Sequence, residues 1–131
     1  MKTLIAALIA ASGLVGAVAH GACTYPTAPA SLPNGDTATK EEMLAGKQAV
    51  GKYNDEMTAY LSCIKLESDE TLATMEKEAD QSEAGKKALE AQKKEYEVKH
   101  TQKHNAAVDE VTAVVERFNE QVRAYKKKQS G

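Results

Sequence analysis

The residues with chemical potential in this 131-residue chain are two cysteines and three histidines. Cys23 and Cys63 are the only thiols. In an oxidising compartment two such groups pair, whereas a catalytic thiolate needs a base or positive field beside it. A Cys23–Cys63 disulfide is the expectation. His100 and His104 stand four apart and share a helix face, with Glu97 one turn earlier. That is half a zinc or copper site, and a tight site needs further ligands. His20 adds a second route, because as a new N-terminus its amine and imidazole could chelate copper together. No Ser/His/Asp set, Gly-rich phosphate loop or paired inward carboxylates is present, so no enzyme activity and no cofactor are expected.

Which of these groups meet depends on what precedes and carries them. Residues 1–19 read as a secretory signal peptide, with Lys2, an apolar run and Ala17-Val18-Ala19 as a small-residue cleavage site. Cleavage after Ala19 exposes His20, and cleavage after Ala22 exposes Cys23. Lipidation of Cys23 is disfavoured, because His20 holds the place three residues before it, where a lipoprotein site carries an apolar residue. Losing Lys2 lowers the 17 basic side chains by one against 19 acidic ones, a net charge of about −3. No concentrated basic face suggests nucleic acid. No other stretch is apolar enough to span a membrane. The expected location is periplasmic or secreted.

Residues 20–39 form the next segment, holding all three prolines, Pro26, Pro29 and Pro33. Their spacing favours an extended, polyproline-like arm, and Asn34-Gly35-Asp36 turns the chain. Helix chemistry begins at Thr39, where Thr39 and Glu42 form a capping box. Met43, Val50, Tyr53, Met57, Tyr60, Leu61 and Ile64 then recur at three- and four-residue steps, one stripe on one helix. Cys63 lies about 36 Å along that helix at ~1.5 Å per residue. The arm can extend to about 50 Å, so it can double back and reach Cys63.

The fold class expected is all-α: a long antiparallel two-helix hairpin over residues 40–127, coiled-coil-like, with the arm packed along it. The helices run from about 40 to 80 and from about 86 to 127, with a break near Ser82 to Gly85. A turn centred near residue 82 sets Gly46 against Phe118, Val50 against Val114, Tyr53 against Val111 and Met57 against Ala107. The apolar surface is broad near the termini and thin near the turn, so the arm or a dimer partner must cover the broad half. The turn-proximal half is expected to project as a bare, charged pair of helices.

The pattern Pro-x-x-Pro-x-x-Leu-Pro-Asn-Gly-Asp-x-Ala-Thr-x-x-x-Met over 26–43, with Tyr60-Leu61-x-Cys63, Lys103 to Glu110 and Arg117-Phe118-Asn119-Glu120-Gln121, resembles small secreted or periplasmic helical proteins of proteobacteria. The resemblance implies export and a helical fold, and it transfers no site residue. The function expected is a non-catalytic binding or structural module of the cell envelope, partnered by an envelope protein or by itself. The alternative is a periplasmic copper or zinc protein using His100, His104 and His20.

Overall fold

A computed structural model describes residues 23–131. Two helices make up most of them: α1 spans Lys40–Glu78 and α2 spans Glu83–Ser130. They pack against each other as a hairpin, with an extended arm along one side.

The start of α1 is held by the Thr39–Glu42 capping box. Thr39 Oγ1 accepts from the Glu42 N–H at 3.2 Å, and the Glu42 carboxylate accepts from the Thr39 N–H at 2.7 Å. Two helix-end donors are satisfied without water. Met43, Gly46, Val50, Tyr53, Met57, Tyr60, Ile64 and Ser68 are the buried positions of α1. The two successive four-residue steps at Tyr60, Ile64 and Ser68 bring the mean spacing to about 3.6, the straight helix's own period. The stripe faces α2.

The link between the helices is Ala79 to Ser82, earlier than the Ser82–Gly85 break that composition suggested. Asp80 organises it, accepting from the Ser82 N–H at 3.0 Å and the Ser82 hydroxyl at 2.7 Å. These two bonds hold the Asp80 carboxyl below its usual range. Ser82 in turn caps α2 by accepting from the Gly85 N–H at 3.1 Å. Gly85 is thus inside the first turn of α2. It is small because a Cβ there would strike the Asp80 carbonyl. With no Gly or Pro before Gly131 to stop it, α2 runs on to Ser130.

The buried apolar cluster lies in the half of the hairpin near the termini, here the root. Met43, Val50, Tyr53, Met57, Tyr60 and Ile64 of α1 meet Ala107, Val114 and Phe118 of α2, with Ala38 at the arm's end. Gly46 is where a large side chain is accommodated. A Cβ there would lie 2.7 Å from Pro33 and 3.0 Å from Phe118. The Gly46–Phe118 match expected from the register is present. Toward the turn, here the tip, Ser68 is the one buried residue among those described. Leu72, Met75, Leu89 and Tyr96 are half-exposed there.

The arm covers the root. Cys23, Ala28 and Leu32 pack on the core cluster. Pro26, Pro29 and Pro33 are half-buried, while Thr24, Thr27 and Ala30 are exposed. The prolines therefore face the hairpin, which leaves these small residues to solvent.

Candidate functional site

The site is built around the arm's attachment. Cys23 is bonded to Cys63, with Cα atoms 5.7 Å apart. Two residues on, Tyr25 meets the Tyr60 ring edge-on, centroids 4.9 Å apart. The Tyr25 hydroxyl donates to Glu110 of α2 at 2.6 Å, and the Tyr53 hydroxyl of α1 donates to the other oxygen of that carboxylate at 3.1 Å. One carboxylate thereby ties arm, α1 and α2 together. At the arm's other end the Gly35 N–H donates to the Gln121 side chain at 2.9 Å, and Lys128 donates to the Ala38 carbonyl at 3.1 Å. A Cβ on Gly35 would collide with the Gln121 carbonyl, so the arm can approach α2 this closely only with glycine there.

The electrostatics of this clamp decide what it can do. Burial, then the bond to Glu110 and its charge, push the Tyr53 phenol up to about 12. Tyr25 moves in the same direction, by desolvation first and then by Glu110. A phenol raised in this way stays protonated at neutral pH and is a poorer acid than in water. The triangle is suited to holding the arm and unsuited to proton transfer.

The histidines do not converge. His100 is half-buried; its Nε2–H donates to the Ile64 carbonyl at 3.1 Å, and its ring lies against Tyr96, 6.5 Å between centroids. His104 is exposed, with Nδ1 3.3 Å from the Asn105 side-chain oxygen. Among the described residues no group of three or more His, Cys, Asp or Glu is placed to hold a metal. His20 and the signal peptide lie outside the described residues.

The described residues present several open surfaces. An open groove of about 600 Å³ runs between Thr24–Thr27 of the arm and Lys52, Glu56 and Tyr60 of α1. At the tip, two shallow depressions share Met75, one along α1 by Thr71 and Thr74, the other against Gln92 and Tyr96 of α2. The tip's charges are paired across the hairpin, Lys93 with Glu76 and Lys103 with Glu67 at 4.0 Å. Lys103 also sits over the Tyr60 ring, 5.8 Å from its centroid. Exposed ion pairs like these contribute less than about 1 kcal/mol each. No helix among the described residues is long and apolar enough to cross a membrane. Sequence reasoning anticipated the disulfide and the seam but missed Glu110, whose only sequence signal is its place flanking the stripe between Ala107 and Val114. None of the family models, curated proteins or solved structures compared with this chain matches it.

Proposed function

We propose that the chain is an exported, non-catalytic helical module of the cell envelope, whose root is a rigid mount and whose tip presents a binding face. The observation that carries this reading is the Cys23–Cys63 bond, which leaves neither cysteine free. Such a bond persists in oxidising compartments and is rare in a reducing cytosol. The apolar run of residues 1–19 supports the same route out of the cell. A thiol bonded to Cys63 is also not available for acylation, which favours a released protein over a lipid-anchored one. The protonated tyrosine clamp and the shallow, open grooves favour binding over catalysis.

The test is an intact mass on protein from native envelopes, with and without reductant, followed by photo-crosslinking from Thr74 and Gln92. The expected result is a mass beginning at His20 or Cys23 that gains two hydrogens on reduction, with tip crosslinks to one envelope protein. A retained leader on a reduced cytosolic protein overturns the export reading. Crosslinks only from root positions overturn the assignment of the tip.

A further inference from the structure

Where the arm turns toward α1 the chain reads Asn34-Gly35, an asparagine amide beside a peptide nitrogen with no side chain in front of it. That pairing permits a reaction with no cofactor. The Gly35 nitrogen loses its proton and attacks Asn34 Cγ, ammonia leaves, and a cyclic imide closes. Water then opens the imide at either carbonyl, giving aspartate or isoaspartate. Asn54, Asn105 and Asn119 lie inside helices and precede Asp55, Ala106 and Glu120, whose side chains crowd the attack. At Asn34 the side chain is exposed to water, but the attacking nitrogen is occupied. Gly35 is buried, and its N–H donates to the Gln121 side chain of α2 at 2.9 Å. A hydrogen bond made by the protonated form opposes loss of that proton. The imide has no N–H, so the Gln121 contact cannot survive ring closure. The surrounding turn is fixed as well. The Asn34 carbonyl accepts from the Thr37 and Ala38 N–H groups at 3.1 and 2.7 Å, and its side-chain oxygen accepts from the Asp36 N–H at 2.9 Å.

We propose that Asn34 is a self-modifying site, kept as the amide while Gly35 is docked on α2 and converted to aspartate or isoaspartate once that contact opens. The end of α2 lets the opening be local. Past Phe118 no residue of α2 is buried, and from Lys126 onward all are exposed. A segment that encloses so little opens at a lower free energy than the core. What holds it to the arm is the Gly35–Gln121 bond and the bond from Lys128 to the Ala38 carbonyl at 3.1 Å. Isoaspartate makes the change one-way. It carries the main chain through the former side chain and so adds a methylene just before Gly35. That displaces a residue packed so closely that even a Cβ on it would strike the Gln121 carbonyl and the Tyr125 amide nitrogen. The isoaspartate turn stays off α2, and one opening becomes a lasting state of the arm.

Incubating the purified, oxidised protein at mildly alkaline pH, in buffer and in urea, tests this. Peptide mass spectrometry follows the amide-to-acid change at Asn34. The expected rate in the folded chain is about tenfold or more below that in urea, because reaction waits on local opening. This comparison needs no variant. Gln121→Ala should speed the reaction in buffer about fivefold, what one hydrogen bond is worth, with circular dichroism showing that the helices persist. Gln121→Glu keeps an acceptor for the Gly35 N–H and retains the protection. Chains carrying isoaspartate should exchange the amides of residues 35–38 faster, with those of Tyr53 to Ile64 unchanged. Equal rates in buffer and urea overturn the proposal. So does a folded Gln121→Ala protein no faster than the parent, or a Gln121→Glu protein as labile as Gln121→Ala. Isoaspartate that leaves Gly35 protected overturns the one-way release.

Discussion

Root and tip are made from the same two helices, yet only one of them is a protein interior. In the root, Met57 and Ile64 are almost wholly enclosed, 0% and 1% exposed, by α2 and the arm. In the tip, Met75 occupies the same stripe but is half-exposed to both sides of the hairpin. The difference is the third layer. Two helices can bury a narrow seam between them, but a wide apolar stripe needs a further element laid over it. The root has the arm, and the tip has no such cover among the described residues. Apolar content follows suit, with the core valines and Phe118 in the root and the ion pairs that cross the hairpin at the tip.

Substitutions can break that contrast in order of size. Replacing Cys23 and Cys63 together by Ser opens a bond with a sequence separation of 40, a loss of roughly 4 kcal/mol in the chain-entropy model. Urea unfolding with and without reductant reads it, and no reductant effect is expected in the variant. Met57→Ala should cost about 2–5 kcal/mol, as buried large-to-small changes do. Met75→Ala at the tip should cost under about 1 kcal/mol, because little is enclosed there. Equal costs would erase the distinction between the halves. Gly46→Ala and Gly51→Ala are five residues apart on α1 and should differ in sign. Crowding on Pro33 and Phe118 makes the first destabilising by about 1–2 kcal/mol. Open space lets the second gain about 0.5–1 kcal/mol of helix propensity.

A separate effect appears with pH. The Tyr53 phenol keeps its proton to about 12 in the folded chain but only to about 10 when unfolded. Its contribution is therefore full below pH 10, declines above it, and is gone once the pH passes 12. Tyrosinate absorbance should show Tyr53 titrating late, and Glu110→Gln should bring that titration back toward the ordinary value. A late titration unchanged in Glu110→Gln would mean that burial alone accounts for the shift.

The sequence is legible where neighbours along the chain decide the outcome. The Thr39–Glu42 cap, the stripe from Met43 to Ile64 and the match of Gly46 to Phe118 follow from local chemistry and one register. The disulfide followed from counting thiols and measuring reach. Illegible were contacts whose partners lie far apart in sequence and carry no pattern. Tyr25 and Glu110 are separated by 85 residues, and Gly35 and Gln121 by 86. The helix link was misplaced because Gly85 looked like a breaker, whereas its smallness answers to the Asp80 carbonyl. The histidine pair looked like half a site because spacing shows a shared face. It does not show whether further ligands stand near, and among the described residues no group of three or more His, Cys, Asp or Glu is placed to hold a metal.

The bond between Cys23 and Cys63 joins the arm to α1, and the backbone joins them again at Thr39. Arm and first helix are therefore a closed bracket, and α2 is the bar laid into it. A chain that enters an oxidising compartment N-terminus first presents both cysteines there before Glu83 follows, so the bracket can shut while empty. The later helix then docks into a shape already made. It need not bring together three separate strands of chain.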